Sequence, residues 1–449
     1  MVNTLFLPEL REMLAANNQA ELVEFCNTLN PGRTAEFMEG LSNEEAWEVL
    51  QHADPSRRSE IFGYFAEERQ LAMLQTHEPA QVAKLVEEIP EDDRVDLLQE
   101  MPEERVDEIL PLLPIADRRN IQRLRAYEGE TAGGLMTTEV AKLAQNLTAR
   151  EALEELGRQA GELETIYYIY VVDEDNMLRG IVSTRQLVSS LARPTRTLGE
   201  MMETDVVVAL ATEDQESVAE KVERYNLLAI PVVDSGRRLL GIITHDDVID
   251  VVREELTEDA HRIAAVAPLE DNYLQIGLFT LTWKRGLWLT ILFFAALLTA
   301  FTLRSYESEL ESFAWLVWFI PLIISAGGNS GSQSATLVIT AMTSGEVEFS
   351  DWHRVLTRES VVSLMLGAFL AFIGFSVAIF IAPSFRGALV IPLTLLSVIV
   401  CGCLCGATLP ILFKRAGLDP ALMSNPFVAG IVDILGIVIY INVARILIG

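Results

Sequence analysis

Asp433 lies inside the apolar run FVAGIVDILGIVIYI, residues 427–441. A charge at the centre of a membrane helix costs roughly 2.5–3.5 kcal/mol on insertion scales. Such a residue must therefore be paired, protonated or wetted. The nearest base in the same run is Arg445, twelve positions on, which is about 18 Å along a helix. None of the other apolar runs carries a deep Lys or Arg, and Asp433 is the only acidic residue expected well inside any of them. One reading is a protonated Asp433 bonded to a hydroxyl or to an amide such as Gln333. The preferred reading is a carboxylate that faces a hydrated path and attracts a cation. Just upstream, Ser424-Asn425-Pro426 interrupts the helix start and supplies an amide and free carbonyls at the mouth of that path.

A second polar feature lies in residues 313–342, FAWLVWFIPLIISAGGNSGSQSATLVITAM, which contain no charge. Gly327, Gly328, Asn329, Ser330, Gly331, Ser332 and Gln333 sit in the middle of this run. Lipid offers backbone and amide groups no partner, so the cluster faces protein or a wet cavity. It either lines a pathway or forms a close helix–helix contact through small residues. A phosphate cradle would need a following Gly-Lys-Ser/Thr, and none is present.

These two runs belong to five predicted spans, about 285–303, 313–342, 361–382, 388–413 and 421–448, each near the ~20 residues that a bilayer requires. The second is long enough to tilt or to break at Pro321 or at the glycines. Residues 283–449 hold nine acidic and nine basic residues, whereas residues 1–282 hold 55 acidic and 25 basic, which is the whole of the −30 net charge. An acidic body is thus joined to a neutral apolar one. Its sign argues against nucleic acid, whose phosphates it repels, and makes cations the natural counter-charge. Lys284, Arg285, Arg354, Arg358, Lys414 and Arg415 fall on one side of the spans, against Arg304 and Arg386 on the other, where Glu307, Glu309 and Glu311 also lie. The basic side is expected in the cytoplasm, with the acidic body there too, the C-terminus outside and the chain in the plasma (inner) membrane. No signal peptide is expected, since residues 1–14 carry Glu9, Arg11 and Glu12 where an apolar core would be required. Of the four cysteines, Cys401, Cys403 and Cys405 share one apolar run and Cys26 stands alone. They look like packing residues, not a disulfide framework. The five histidines show no zinc spacing.

Within the acidic body, residues 1–131 read as short helices punctuated by Pro, Gly and Asn, with Ser42-x-x-Glu45 patterned as a capping box. Such a series suggests a helical stack or superhelix. Residues 132–255 contain a repeat: IYVVD at 169–173 and GIVS at 180–183 return as IPVVD at 230–234 and GIIT at 241–244, both at an offset of 61. Each half reads β-α-β-β-α, preceded by a Met-rich turn (135–137 and 201–203). This resembles a tandem pair of CBS domains, modules that usually regulate through adenine nucleotides or dimerisation. The halves differ in charge. His245-Asp246-Asp247 and Asp250 follow the second half, and Glu254, Glu255, Glu258 and Asp259 continue the run, where the first half has Thr184, Arg185, Gln186 and Ser189. Residues 87–108 add eleven Asp/Glu against Arg94 and Arg105, with Asp92, Asp96 and Glu100 four apart. Like charges at helical spacing are destabilising unless neutralised. These are either solvated faces or the two surfaces of a divalent-cation sensor, for which one or two carboxylates plus water suffice to hold Mg²⁺.

Taken together, an acidic helical module, tandem CBS domains, five spans, PLIISAGGNSGSQSAT, and LDPALMSNPFVAGIVDILG with its lone Asp433 resemble the MgtE family of magnesium channels over essentially the whole chain. The implied fold is a multidomain membrane protein: an all-α N-terminal superhelix (1–131), an α/β CBS module (132–255), a linking, pore-plugging helix (256–282) and an all-α domain of five spans (283–449). The resemblance implies a homodimeric Mg²⁺ channel closed by Mg²⁺ bound to its cytosolic domains. It places a hydrated Mg²⁺ at Asp433, a backbone carbonyl of Ala429 beside it and Asn425 at the gate, with Gly328, Asn329 and Gln333 along the pathway. It makes Glu60, Asp92 and Asp96 the Mg²⁺ ligands of the helical module, and Glu216, Asp247, Asp250, Glu255, Glu258 and Asp259 those of the CBS module and linking helix. Asn226 stands where the family can present Asp, and Leu227 replaces an aromatic residue able to stack on adenine, which sets ATP regulation of the CBS domains apart as an open point. The rival readings are a proton-coupled divalent-cation carrier and a non-transporting Mg²⁺ sensor. An enzyme is not expected, because no nucleophile–base pair, metal-hydrolase spacing or nucleotide fingerprint is present.

Overall fold

The computed structural model describes residues 5–449 except 162, 193–194, 270–272, 275 and 423–424. The chain forms two compact units, Met1–Val252 and Arg253–Gly449.

The first unit begins with ten short α-helices, from Leu7–Ala15 to Ile115–Leu124, among the described residues. Several start on Pro in the first turn, where no N–H is needed. Ser42 and Glu45 form the expected reciprocal cap, at 3.2 and 2.9 Å. Their inward faces share one core that includes Leu50, Phe62, Leu74, Leu85 and Leu98. Arginines close several of the helix ends. Arg69 donates to the Leu41 carbonyl (2.8 Å), Arg94 to Ile89 (2.8 Å), Arg105 to Leu74 (3.0 Å) and Arg118 to Leu110 (2.9 Å). A cation at a helix C-terminus satisfies orphan carbonyls and the helix dipole together. Positive charge in this module is thus partly spent on backbone, while Arg94 also pairs with Asp117 and Arg105 with Glu108. One helix matters for the site: α1, Glu91–Glu100.

The repeat follows as β1 (Val140–Ala144), α2 (Ala149–Gln159), β2 (Thr165–Val172), β3 (Leu178–Ser183) and α3 (Thr184–Ser189), then β4 (Ala209–Leu210), α4 (Gln215–Tyr225), β5 (Ala229–Val233), β6 (Leu239–Thr244) and α5 (His245–Ile263). Each half is a three-stranded sheet in which the first two strands pair parallel and the last two antiparallel. The Met-rich turns cross over. Thr137 bridges Ile242 of the second half and Glu203 bridges Ile181 of the first. Each half therefore needs the other to complete its sheet edge. Gly241 and Gly180 are where Met136 and Met202 press closest.

The boundary between the units falls within α5. Residues 256–282 are not one helix: α5 stops at Ile263, Ala265 takes a left-handed φ of 59°, and the next helix begins at Leu278. Pro268 disfavours helix at the residue before it. The part of the linking segment at 270–272 and 275 lies outside the described residues.

The second unit contains α6 (Leu278–Ser305), α7 (Ile320–Thr343), α8 (Trp352–Ile381), α9 (Phe385–Arg415) and α10 (Asn425–Ile448). Each belongs to a stretch long and apolar enough to cross a membrane. The second span breaks just before Pro321: residues Ala314–Phe319 form a 3₁₀ turn and α7 begins at Ile320. Proline is tolerated in that first turn. The glycines do not break it. They lie buried within α7, which packs on α9 and α10. Here backbones nearly touch. A Cβ on Gly402 of α9 would stand 2.6 Å from the Gly327 carbonyl, and one on Gly406 closer still to that of Gly331. The small-residue contact considered for this run is therefore real and forms one side of α7.

Gly406→Val is expected to destabilise the membrane unit by about 1–3 kcal/mol or more through overpacking against backbone that cannot yield. Thermal unfolding in detergent measures this, and an unchanged midpoint would show that α7 and α9 are not in such close contact.

Candidate ion pathway and carboxylate clusters

The other side of α7 is polar and faces α10. A Cβ on Gly328 would stand 3.3 Å from Asp433 Oδ1 and 3.4 Å from Ala429 Cβ. Glycine at 328 thus puts bare helix surface, with no side chain, against the carboxylate. One and two turns on, Ser332 Oγ donates to the Asn425 carbonyl (3.0 Å) and Thr336 Oγ1 to Asn425 Oδ1 (3.0 Å). Both acceptors of Asn425 are therefore tied to α7, which corrects the expectation of free carbonyls at this residue. Ser424, expected beside it, lies outside the described residues. Asn329 Nδ2 donates to Ser325 Oγ (3.2 Å), one turn back. Gln333 is exposed and, among the described residues, no hydrogen bond joins it to Asp433. Asp433 is half-buried and makes no ion pair among the described residues. Arg445 pairs instead with Glu309 and lies over the Tyr306 ring at 5.2 Å. The stripe Ser325, Gly328, Ser332, Thr336, with Asp433, Ala429 and Asn425 opposite, is an uncompensated carboxylate in a row of small and hydroxylated residues.

A second carboxylate, Glu359, lies near the start of α8, which begins nine residues before the predicted span at 361 and carries the basic flank at Arg354 and Arg358. Charged and hydroxyl residues at 351–360 masked the helix start, and hydropathy alone gave no signal for it. Ser334 Oγ donates to Glu359 Oε2 at 2.5 Å.

In the first unit, α1 and the start of α5 meet. Asp92 is buried, and burial followed by the charges of Asp247, Asp93 and Glu164 pushes its carboxyl well above the usual range. Burial, then Asp247 and Glu139, raises Glu164 to about 7. Burial raises Asp247 to about 6, even though it accepts bonds from the Thr244 hydroxyl (2.5 Å) and N–H (3.2 Å). Asp246 and Asp250 add to the field on Asp93. The predicted residues Asp92, Asp247 and Asp250 are thus gathered into one cluster, joined by Asp93, Glu164 and Asp246, which sequence reading did not select. Glu164 was missed because it lies just before β2, in a segment brought here only by the fold. Asp96 lies one turn along α1, on its exposed face. Glu60 pairs with Arg57 at 3.9 Å, and Glu216 is exposed in the first turn of α4. Neither is among the charges that shift Asp92, Glu164 or Asp247.

In the second unit, the end of α5 brings Asp259 toward Asp419. Burial, then the charges of Asp419 and Glu255, raises Asp259 to about 6. Arg262 bridges Glu258 and Asp419. Asp419, in the LDP motif before α10, was not selected from sequence, although that motif marked it. Asn226 has φ 50° and caps the C-terminus of α4. Asn tolerates this left-handed position well, which gives the residue a backbone role. Leu227 is partly buried against the core.

Among the described residues no three such side chains converge closely enough to hold a bare metal ion. The donors are carboxylate oxygens and hydroxyls, a hard set suited to Mg²⁺ or Ca²⁺ and, at this spacing, to an ion that keeps much of its water.

A helical acidic module, paired CBS halves and five helices long and apolar enough to cross a membrane, with a polar stripe between α7 and α10, fit a multi-span transporter. Family models agree: "Divalent cation transporter" matches residues 320–443, "MgtE intracellular N domain" 29–130, and "CBS domain" 132–193 and 198–254. The chain is 40% identical over 330 residues to the magnesium transporter MgtE of Thermus thermophilus, covering 74% of this chain and 73% of that one. It is 34% identical over 329 residues to that of Enterococcus faecalis, covering 72% and 70%. Among solved structures, the cytosolic domain of the Mg²⁺ channel MgtE in complex with ATP covers 54% of this chain and 98% of its own, at 35% identity and a TM-score of 0.51. The soluble part of a magnesium transporter covers 55% and 97%, at 32% and 0.52. The chain belongs to the MgtE family of magnesium transporters.

The raised carboxyls have a pH consequence with a definite sign. Glu164 and Asp247 hold protons in the folded state that the unfolded chain releases, so folded protein binds more protons between about pH 4 and 7 and its stability falls as pH rises through that window. With chelator present, the melting temperature of the soluble unit's transition is expected to drop by several degrees between pH 5 and pH 7.5, and to drop less in Glu164→Gln. A melting temperature that climbs steadily over this range would contradict the cluster.

Proposed function

We propose that the chain is a homodimeric Mg²⁺-selective channel in the cell membrane, closed by Mg²⁺ bound to its acidic soluble body. The observation that carries the conducting part is Asp433: a carboxylate in a span, without an ion pair among the described residues, set against the bare helix surface at Gly328. Mg²⁺ dehydrates reluctantly, so a space bounded by a carboxylate, the Ala429 backbone and hydroxyls suits an ion with its first water shell. A second copy related by a twofold axis would place two such carboxylates on one path. The basic flanks at Lys284, Arg285, Arg354, Arg358, Lys414 and Arg415 support a cytoplasmic acidic body and an outer C-terminus.

The regulatory part rests on the carboxylate clusters. Asp92, Asp93, Glu164, Asp246, Asp247 and Asp250 share a field in which the charges of the last five each raise the carboxyl of one or more of the others. Asp419 likewise raises Asp259. A divalent cation in these clusters replaces repulsion by attraction and favours the compact form. Closing then requires only that Mg²⁺ bind the compact state more tightly than the open one. Asp96 and Glu255 extend the two clusters along α1 and α5, while Glu60 and Glu216 provide separate acidic surfaces. ATP, which the solved relative's cytosolic domain holds, is a further regulator to test here, with Leu227 in place of a stacking ring.

The deciding experiment is Mg²⁺ flux into liposomes that hold the purified chain, with Mg²⁺ varied separately on each face and no proton gradient. Flux is expected to fall as Mg²⁺ rises on the face bearing the soluble body, and to drop at least tenfold in Asp433→Ala. Flux that requires an imposed proton gradient would identify a coupled carrier with Asp433 as its proton site. In Asp92→Asn/Asp247→Asn, conduction is expected to persist while closure by Mg²⁺ shifts to higher concentration; closure at the wild-type concentration would remove these clusters from the mechanism.

A further inference from the structure

We infer that Glu359 is a positioning residue for ion conduction, acting through Ser334 on the side of α7 away from the pathway. Glu359 follows Arg358 near the start of α8 and is bonded to α7 on the side away from the Asp433 stripe. Its carboxylate reaches from α8 to the hydroxyl of Ser334, which is 5% exposed, at 2.5 Å. Both α7 and α8 pack mainly on α9, so the bond links two helices across a third.

The contact it reinforces is unusually smooth. Gly327 and Gly331 of α7 meet Gly402 and Gly406 of α9 backbone to backbone. Glycine surfaces allow close approach but present few knobs to resist sliding or rotation. The neighbouring side-chain contact, Cys403 Sγ on the Ser330 carbonyl at 3.7 Å, is a weak one. A charge-assisted hydrogen bond is directional and stronger than a neutral one, and Ser334 sits six residues from Gly328, about 9 Å along the helix. Rotation of α7 would carry Gly328, Ser332 and Thr336 away from Asp433 and Asn425. Glu359 thus fixes the face that α7 shows to the pathway.

The inference rests on conduction through the Asp433 stripe, so its test carries one arm that needs no flux. Four variants are compared in liposomes: Ser334→Ala, Glu359→Leu, the double variant, and Glu359→Gln, which keeps an acceptor for Ser334. Ser334→Ala and Glu359→Leu are each expected to lower maximal Mg²⁺ flux about tenfold, the double variant to be no worse than either, and Glu359→Gln to retain at least half. In parallel, spin labels carried by unnatural residues at positions 337 and 446, both exposed, report the α7–α10 distance. The distribution is expected to broaden in Ser334→Ala and Glu359→Leu and to stay sharp in Glu359→Gln. Wild-type flux and a sharp distribution in Glu359→Leu would overturn the proposal. So would Glu359→Gln as defective as Glu359→Leu, since charge and not the bond would then be needed, or additive losses in the double variant. If the wild-type chain conducts no Mg²⁺ the proposed function fails, and the distance measurements alone decide the role of Glu359.

Discussion

A carboxylate removed from water must be compensated, and most of what is distinctive in this chain follows from how it meets that constraint. In the membrane unit the cost falls on Asp433. Among the described residues neither a base nor a hydrogen-bond partner compensates it, and it stands against a helix face stripped of bulk. Gly328 brings backbone to the carboxylate, and Ser332 and Thr336 hold Asn425 a turn or two away. The remainder of α7 is shaped by the same need. To show a polar stripe on one side, it must be anchored on the other, and glycine-to-glycine packing on α9 achieves a close fit without a bulky side chain between them.

In the soluble unit the constraint is used in the opposite sense. Here carboxylates are gathered, not isolated, and several are left partly desolvated. Asp92 is buried beside Asp247 and Glu164 while the nearby arginines are committed to helix ends, as Arg94 is to Ile89. A cluster of this kind is strained when deprotonated and relaxed when protonated or bound to a cation. In the proposed function such a cluster would respond to cation concentration without a rigid chelating cage, in keeping with donors that, among the described residues, do not converge on a bare ion.

How much of this was legible in the sequence depended on whether the signal was local. The spans, the 61-residue repeat, the capping box at Ser42 and the isolation of Asp433 are properties of short windows, and each was readable. Glu164 and Asp419 were not, because each lies between regular elements and takes its meaning from a helix distant in sequence. Glu359 fell outside its predicted span for a related reason: hydropathy dates a membrane helix from its first apolar residues, whereas α8 begins at Trp352 with polar turns. The linking segment shows the reverse error. A family resemblance suggested one helix, but Ala265 and Pro268 end it at Ile263. Asn226 shows a residue whose identity is explained by backbone conformation before any ligand is considered.

One helix connects the two uses of charge. Asp247 and Asp250 lie near the start of α5 and Glu258 and Asp259 near its end, in a single uninterrupted run from His245 to Ile263. Asp247 and Asp259 are twelve residues apart, about 18 Å, too far for direct electrostatic coupling at cellular ionic strength. Any coupling between the clusters must therefore be mechanical, carried by the stiffness of the helix. A helix is a good transmitter of rotation and translation as long as its ladder is unbroken, and α5 contains neither Gly nor Pro. Acids outnumber bases across its length, and Glu258 pairs with Arg262 near its far end. Neutralising either cluster removes like-charge repulsion from the helix itself as well as from its contacts. Under the proposed closure, a cation at either cluster would relieve repulsion along the same helix, so that binding and transmission would draw on the same carboxylates.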